Sequence, residues 1–262
     1  MPSRQEHTSE VEGETAKASI RELICRFVDE VGSLQIDEVI EEAVFAVIIN
    51  GEPYRDLTCS PWDIRELVIG NLFTSGKIDH AAEIEDLFVD EAVGEVRVQI
   101  SPANQTDACG VVVDRVLCPD SGEAPAIDPL LTAQQVSEHV NYLEGNSKLF
   151  RRTGGVHSAV LVDAAGELIA WFEDIGRHNA LDKLAGWCVI NHVDASDKVL
   201  LFSGRVPREI IARAIRIGVP LVISPGAPTN LSIKLACEHG VTLVGFAKNG
   251  TFNVYTHPGR IV

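Results

Sequence analysis

The sequence predicts an α/β protein made of a small N-terminal α+β lobe and a larger α/β/α domain of three layers. Across residues 157–246, short apolar strands alternate with helical patterns, which is typical of a mixed, mostly parallel sheet covered by helices on both faces. Across residues 43–100, two pairs of strands flank one helix in the order ββαββ. A chain of 262 residues that is 45% hydrophobic is long enough to bury two such cores.

The N-terminal region divides into a tail and a first ordered element. Residues 1–19 are polar and acidic with almost no large apolar side chain, so the sequence predicts a disordered tail. From Ile20 to Val31 the apolar residues recur with helical spacing, which predicts a short amphipathic helix ended by Gly32. We place this helix and the loop around Cys109 in the small lobe, residues 20–125, and assign residues 126–262 to the larger domain.

Turn and capping residues mark the elements of the small lobe. Asn50-Gly51 favours a tight β-hairpin turn between two strands, and Ser60-Pro61-Trp62-Asp63 resembles a capping box with proline at the first helical position. The predicted elements are the strand Ala43–Ile49, a second strand through Leu57, the helix Ile64–Thr74, and the strands Glu83–Val89 and Val96–Ile100.

The larger domain opens with a hairpin and continues as alternating helices and strands. The hairpin should contribute one antiparallel strand to an otherwise parallel sheet. The predicted strands are His157–Val162, Leu168–Phe172, Val199–Phe202, Val219–Ile223 and Thr242–Phe246, and the predicted helices are Asn179–Ile190, Pro207–Ile217 and Thr229–His239.

Composition excludes several classes of function. A formal charge of −16 argues against a nucleic-acid binder, because such affinity depends on neutralising phosphates with Lys and Arg. No run approaches the roughly 18 to 20 apolar residues of a membrane span, and the N-terminus lacks the apolar core of a signal peptide. We therefore expect a cytoplasmic protein without a membrane partner, whose six scattered cysteines are free thiols.

Four loops should meet where the parallel strands end. Helix N-termini point unpaired N–H groups at that edge of an open α/β sheet, and ligands collect there. Arg177, Arg205, Arg208 and Lys248 add positive charge to these loops, so the sequence predicts an anion or nucleotide site. The alternative is that they are ordinary βα connections rich in Gly and Pro. The four loops are residues 173–179, 203–208, 224–229 and 246–250.

Cys109 is the candidate reactive thiol. It follows a predicted strand in the polar stretch that begins at Ser101 and is followed by Gly110. Sulfur transfer needs a nucleophilic thiolate that moves between a donor and an acceptor, which suits a loop. The alternative is an inert cysteine, because free cysteines are commonly buried and Asp107 would disfavour the thiolate.

At this point the sequence resembles a known family, the formate dehydrogenase accessory sulfurtransferases (FdhD/NarQ), from about Ala43 to Arg260. The string from Glu173 to Lys183, EDIGRHNALDK, is the most specific part of the resemblance. The other matching segments are Asn50–Pro53, Ser60–Asp63, Thr153–His157, Ser203–Arg205, Ala227–Thr229, Leu243–Phe246 and Asn253–Thr256.

The resemblance implies a sulfur carrier required for formate dehydrogenase activity. Members take persulfide sulfur from a cysteine desulfurase and transfer it to the molybdenum bis(molybdopterin guanine dinucleotide) cofactor before its insertion into formate dehydrogenase. The implied fold is cytidine-deaminase-like and the implied assembly is a homodimer. Cys109 matches the persulfide position. The implied cofactor segment is Phe246, Ala247, Lys248, Asn249, Gly250 and Thr251, for which GDP should serve as a mimic.

One departure from the family pattern concerns the second thiol. The family carries Cys-x-x-Cys here, whereas this chain has Val112 in place of the second cysteine. Cys109 must then transfer sulfur directly or use another thiol such as Cys118. The alternative is a non-catalytic escort that binds the molybdenum cofactor and has lost sulfur transfer.

Further residues on the predicted edge complete the candidate cofactor site. They are His157, Arg177, His178, Ser203, Gly204, Arg205 and Thr229. Simpler roles are open for two of them, since His178 could pair with Asp182 one helical turn away and Thr229 is expected to cap a helix. A zinc deaminase is rejected because the required Glu beside a metal-binding His and the Pro-Cys-x-x-Cys element are both missing. No zinc or other structural metal is predicted, and Cys25, Cys188 and Cys237 are assigned to packing.

Overall fold

The computed structural model describes residues 19–101 and 131–262. Several expectations lie outside these ranges. They are the disordered tail apart from its last residue, the loop of Cys109 with Val112 and Cys118, and the boundary between residues 125 and 126. The division into two domains at that boundary stays a prediction.

The described chain begins with a long β-hairpin, so the predicted helix from Ile20 to Val31 is wrong. Strands β1 (Ser19–Val28) and β2 (Val31–Ile40) pair antiparallel through a turn at Asp29 and Glu30, which have positive φ angles of 47° and 69°. The apolar residues of this segment fit the spacing of a helix, although the segment forms a strand. Leu23 and Ile24 would share a helical face, but in the hairpin they point to opposite sides. We call residues 19–40 the arm.

The small lobe has the predicted ββαββ order. Its sheet runs β4-β3-β6-β5, and helix α1 (Ile64–Thr74) covers one face. Asn50 and Gly51 form the expected turn with φ angles of 51° and 85°. The predicted capping box at Ser60 is wrong. The helix begins at Ile64 with Asp63 as its N-cap, so Ser60 lies before the cap, and Asp63 makes no side-chain capping bond. The strands are β3 (Ala43–Ile49), β4 (Glu52–Cys59), β5 (Ile84–Asp90) and β6 (Glu95–Ile100).

The larger domain is built on a six-stranded mixed sheet of order β12-β11-β10-β9-β7-β8. The three central strands β9, β10 and β11 are parallel, and β7 pairs antiparallel with β9, as the hairpin pattern predicted. The strand β12 was not predicted. The strands are β7 (His157–Val162), β8 (Leu168–Asp174), β9 (Val199–Phe202), β10 (Leu221–Ile223), β11 (Thr242–Lys248) and β12 (Thr251–Val254).

Helices cover both faces of this sheet, which confirms the three-layer α/β/α fold. Helix α2 packs on one face through Val136, Val140 and Leu143, and α4, α5 and α6 pack on the other. None of the helices in the described ranges is both long and apolar enough to cross a bilayer. The helices are α2 (Ala133–Asn146), α3 (Lys148–Thr153), α4 (Arg177–Ile190), α5 (Arg208–Ile217) and α6 (Asn230–Glu238).

The two lobes meet where α1 crosses α4, at a pair of glycines. A Cβ atom on Gly70 would lie 1.7 Å from the backbone oxygen of Asp182, and one on Gly186 would lie 1.9 Å from that of Glu66. Only glycine fits at either position, so the two helices touch backbone to backbone. This seam fixes the small lobe against the sheet of the larger domain.

Candidate functional site

Strand direction brings the predicted site residues to one edge of the six-stranded sheet. Strands β8, β9, β10 and β11 end there, and β7 begins there, because His157 pairs with Asp174 and Ala159 with Phe202. His157 therefore lies beside the loops that follow the other strands. The loops at residues 173–179, 203–208 and 224–229 lie on this edge as the sequence predicted, whereas the fourth, residues 246–250, reaches it only through Phe246.

The loops after β9 and β10 contact each other closely at their glycines. A Cβ on Gly226 would lie 2.4 Å from the backbone oxygen of Gly204, and Ser224 Oγ donates to that same oxygen at 2.7 Å. Ser203 Oγ accepts the N–H of Ser158 at 2.8 Å and lies 3.5 Å from His157 Nδ1. His157, Ser203, Gly204 and Gly226 thus form one continuous group on the edge.

Phe246 joins this group with an unusual backbone conformation. Its N–H donates to the backbone oxygen of Gly226 at 3.1 Å, its φ angle is 51°, and 45% of its surface is exposed. A bulky side chain at positive φ costs free energy and persists only where the surroundings impose it, and such positions cluster at ligand sites. An exposed aromatic ring offers a flat surface on which a base can stack.

The remainder of the predicted cofactor segment lies apart from this group. Ala247 is buried, and Asn249 and Gly250 form the turn of the β11–β12 hairpin. Lys248–Thr251 line a narrow depression against Val136 and Val140 of α2. The segment from Phe246 to Thr251 is therefore divided between the edge and the outer hairpin.

Arg177 and His178 occupy the first turn of α4, whose N-cap is Gly176 and carries no side-chain cap. Arg177 Nε and His178 Nε2 are both buried and have no hydrogen-bond partner among the described residues. Buried polar atoms are normally satisfied, so two buried ring and guanidinium nitrogens without a protein partner, beside a helix N-terminus that lacks a side-chain cap, suit the binding of an anion. This part of the edge fits a phosphate group.

Both edge histidines are held in the neutral form. Burial lowers the pKa of His178, and the neighbouring Arg213 and Arg177 lower it further. Burial also lowers the pKa of His157, and Arg177 acts in the same direction. Neutral imidazoles provide one donor and one acceptor each without adding charge at pH 7.

The alternative role left open for His178, a pairing with Asp182, is not the arrangement in the structure, where other side chains bind Asp182. Asp182 instead accepts hydrogen bonds from Thr74 Oγ1 at 2.7 Å, Asn71 Nδ2 at 3.0 Å and Arg213 Nε at 2.8 Å. Two of these donors belong to α1, so Asp182 ties the larger domain to the small lobe.

Asp174 and Lys183 form a second tie between the lobes. Asp174 Oδ2 lies 2.8 Å from Lys183 Nζ and accepts the N–H of Ser60 at 3.0 Å, while Oδ1 accepts the N–H of Gly176 at 2.8 Å. The ammonium of Lys183 also lies 4.7 Å from the centre of the Trp62 ring. Asp174 therefore holds the turn that positions Arg177 and His178. Trp62 and Lys183 both lie in segments that match the family, but no feature of the sequence predicted their contact with each other.

Arg205 and Thr229 have simpler surroundings. Arg205 is exposed in the loop after β9. Thr229 caps α6, because its Oγ1 accepts the N–H of Ser232 at 3.2 Å, which confirms the predicted N-cap. Thr229 is exposed at the same edge, but its N–H donates to Ser232 Oγ at 2.8 Å and its carbonyl accepts from Ser232 Oγ and the N–H of Ile233, so its backbone is engaged in the cap.

The described cysteines differ sharply in accessibility. Burial raises the pKa of the thiols of Cys59 and Cys188 to about 12, so neither forms a thiolate at neutral pH. Cys25 is a free thiol exposed on the arm, and its predicted packing role is wrong. Cys237 is disulfide-bonded, so the expectation that all six cysteines are free thiols is also wrong. Cys109 lies outside the described residues.

No three His, Cys, Asp or Glu side chains in residues 19–101 and 131–262 are grouped so that they could hold a metal ion.

Comparison with known proteins relates the chain to one family. Residues 40–262 match the sequence model described as the FdhD/NarQ family. A protein named sulfur carrier protein FdhD from Bacillus pumilus (strain SAFR-032) is 38% identical over 239 residues, which cover 86% of this chain and 90% of that protein. A protein of the same name from Staphylococcus aureus (strain MRSA252) is 36% identical with the same coverage.

A solved structure agrees with this relationship. The crystal structure of a candidate formate dehydrogenase accessory protein from Desulfotalea psychrophila superposes with a TM-score of 0.76 at 25% sequence identity. The match covers 94% of this chain and all of that one.

Proposed function

The chain belongs to the FdhD/NarQ family, and from this we propose that it is a sulfur carrier that supports the maturation of formate dehydrogenase. The observation that carries the proposal is the match, over 86% of the chain, to proteins named sulfur carrier protein FdhD. The related accessory protein of known structure supports the link to formate dehydrogenase.

We propose Cys109 as the residue that carries the sulfur. Its thiolate would attack the outer sulfur of a persulfide on a cysteine desulfurase, and the S–S bond of the donor would break. Cys109 would then carry the persulfide, and the donor cysteine would leave as a thiolate. The buried thiols of Cys59 and Cys188 are poor candidates, because their high pKa values keep them protonated.

The edge of the six-stranded sheet is the proposed binding site for the cargo, the molybdenum bis(molybdopterin guanine dinucleotide) cofactor. Arg177 and the uncapped N-terminus of α4 suit the phosphates of a guanine dinucleotide, and the exposed ring of Phe246 suits a base. Formate dehydrogenase would be the recipient of the sulfurated cofactor. This role requires a location in the cytoplasm, where the cofactor is handled before insertion.

Intact-mass spectrometry tests the carrier role. The protein is incubated with a cysteine desulfurase and cysteine, without reductant, and its mass is measured before and after. We expect an added sulfur atom in the wild type and in Cys25→Ala, and none in Cys109→Ala. Cys25→Ala is the matched control because Cys25 is exposed and free, and so open to unspecific sulfuration.

The outcomes separate the carrier from the escort. If the wild type gains no sulfur, the carrier role fails and the escort, in which Val112 marks the loss of the second thiol, is favoured. If Cys109→Ala still gains sulfur, the assignment of Cys109 is wrong, and Cys118→Ala then identifies the alternative thiol.

A further inference from the structure

His157 is a half-buried imidazole on the sheet edge, and its two ring nitrogens have different surroundings. Nδ1 lies 3.5 Å from Ser203 Oγ, whereas none of the described residues makes a hydrogen bond to Nε2. In a neutral imidazole one nitrogen carries the hydrogen and the other accepts one. The partner of Nδ1 therefore decides whether Nε2 offers a ligand a donor or an acceptor.

The hydroxyl of Ser203 takes the place of a backbone carbonyl between β7 and β9. Ser203 N–H donates to the backbone oxygen of Ser158 at 3.0 Å, and Ser158 N–H donates to Ser203 Oγ at 2.8 Å. In a regular antiparallel pair the second bond would end on the carbonyl oxygen of Ser203. Because Oγ accepts this N–H, its own hydrogen remains to be donated. Among the residues that the structure describes, the other partner of Oγ is His157 Nδ1.

Ser158 is held in place by a buried carboxylate. Its Oγ donates to Glu173 Oε1 at 3.0 Å, and the same oxygen accepts Ser147 Oγ at 2.5 Å. Ser147 is the N-cap of α3, so these contacts run from the start of that helix to the sheet edge. Ser147, Ser158 and Glu173 are all buried. The N–H that Ser203 accepts is thus fixed in position, and this limits the rotation of the Ser203 hydroxyl.

Gly204 allows the ring to lie against this hydroxyl. A Cβ on Gly204 would lie 3.1 Å from His157 Nδ1 and 3.3 Å from its Cε1, which is tighter than ordinary van der Waals contact. The side of the ring that carries Nδ1 therefore packs directly on the backbone that carries Ser203. A larger residue after Ser203 would push the ring away from the hydroxyl.

The surroundings of His157 favour its neutral form. Burial lowers the pKa of His157, and Arg177 on the first turn of α4 lowers it further, while Asp174 at the end of β8 acts in the opposite direction. A neutral ring keeps one donor and one acceptor, so its tautomer matters to any ligand at the edge.

We propose that Ser203 is a positioning residue, which donates its hydroxyl hydrogen to His157 Nδ1 and thereby fixes the tautomer of His157 with hydrogen on Nε2. His157 then presents a neutral donor, which suits an acceptor oxygen such as that of a phosphate and does not suit the N–H groups of a base. This ligand role rests on the proposed function, whereas the tautomer is a property of the free protein.

Nitrogen NMR of the full chain with isotope-labelled histidine measures the tautomer, because protonated and unprotonated ring nitrogens differ strongly in chemical shift. Spectra are recorded without ligand at about pH 8, above the usual histidine pKa. The signals of His157 are identified by their loss in His157→Gln. We expect an unprotonated Nδ1 and a protonated Nε2 in the wild type. Ser203→Ala should give a mixture of both tautomers, whereas Ser203→Thr, which keeps the hydroxyl, should preserve the single one.

Ser224→Ala is the matched control. It also removes a hydroxyl from a loop of the edge, but that hydroxyl donates to the backbone oxygen of Gly204 and not to the ring. The tautomer of His157 should therefore be unchanged in this variant. Ser203→Ala should in addition raise the pKa of His157, because the lost hydrogen bond stabilises the neutral form. His178 is the internal reference in the same spectra, since burial, Arg213 and Arg177 lower its pKa.

Calorimetry with GDP tests the donor role of Nε2. His157→Leu should weaken GDP binding about tenfold, the loss of one hydrogen bond to a charged group. His157→Gln should retain most of the affinity, because its amide N–H can take the place of the Nε2–H. If Ser203→Ala populates both tautomers equally, the competent fraction falls by half and the dissociation constant for GDP rises about twofold.

Four results would overturn this assignment. A protonated Nδ1 in the wild type, or an unchanged tautomer in Ser203→Ala, refutes the role of Ser203. An equal change in Ser224→Ala shows that loop packing sets the tautomer and the hydroxyl does not. Equal GDP affinity in His157→Leu and the wild type refutes the donor role. If GDP does not bind the wild type, the proposed nucleotide site fails together with the donor role, while the spectra still decide the role of Ser203.

Discussion

Lys183 Nζ lies 2.8 Å from Asp174 Oδ2, and neither side chain reaches solvent. The pair connects the turn that carries Arg177 to the first turn before α1, because Asp174 also binds the N–H groups of Gly176 and Ser60. The most specific string of the sequence therefore has a structural role next to its proposed ligand role.

Removing the ammonium of this pair should destabilise the protein strongly. Lys183→Met leaves the carboxylate of Asp174 buried without its counter-ion, and such a change costs about 3–5 kcal/mol. Urea unfolding followed by tryptophan fluorescence measures the loss. The double variant Lys183→Met, Asp174→Asn should recover part of it, because no buried charge is left unpaired. Equal stability of Lys183→Met and the wild type would contradict the role given to the pair.

The crossing of α1 and α4 should not tolerate a methyl group. Gly186→Ala would put a Cβ 1.9 Å from the backbone oxygen of Glu66, so the helices must separate, at a cost of about 3 kcal/mol or more. Gly145→Ala is the control, because this helical glycine has no neighbour within 4 Å and alanine there should stabilise α2 by about 0.5 kcal/mol. Thermal unfolding measures both. A Gly186→Ala variant as stable as the wild type would disprove the close crossing.

GDP should bind at the edge of the six-stranded sheet. Arg177→Ala should weaken binding about tenfold, because an arginine bond to phosphate contributes roughly 1.5 kcal/mol. Isothermal titration calorimetry measures the affinity. Arg97→Ala is the control, since Arg97 lies on β6 of the small lobe. The edge is not a nucleotide site if GDP gives neither heat nor a thermal shift with the wild type.

Stability should fall as the pH is lowered through the titration of His139. This side chain is 4% exposed, and burial lowers its pKa below the usual value near 6.5. The unfolded chain then binds more protons than the folded one, so the free energy of unfolding decreases as the pH falls from about 7 toward 5. His139→Gln should flatten this dependence, whereas the exposed His192→Gln should not. Urea midpoints across the pH series provide the comparison, and parallel curves for wild type and His139→Gln would refute it.

The spacing of apolar residues and the turn and capping residues predicted many helices and strands correctly. They failed in residues 20–31, where the apolar residues fit both a helical and a strand pattern. The helix Ile64–Thr74 and the strand Val199–Phe202 have the predicted bounds. The arm was missed because residues 20–31 were interpreted on their own, without the strand that follows them. The pairing of β1 with β2 is what makes this segment a strand and not a helix. Helix α2 was missed although Thr132 and Gln135 form a capping box, a signal present in the sequence.

The site was predictable only as far as strand direction determines it. Parallel strands place their following loops on one edge, so the gathering of residues 173–179, 203–208 and 224–229 followed from the pattern. The contacts of Asp182 with Thr74 and of Asp174 with Ser60 join residues more than 100 positions apart. No periodicity encodes such pairs, so the roles of these carboxylates required the folded structure.

The backbone contact of Gly70 and Gly186 bears on how cargo can be exchanged. The two helix backbones touch at these glycines, and Asn71 and Thr74 of α1 donate hydrogen bonds to Asp182 of α4, so sliding the small lobe over the larger domain would break close contacts and buried hydrogen bonds together. A hinge motion between the two lobes is therefore not expected to be what admits a ligand to the sheet edge. We expect the loops themselves to control admission and release of the proposed cofactor, and substitutions that change its exchange rate should be sought there.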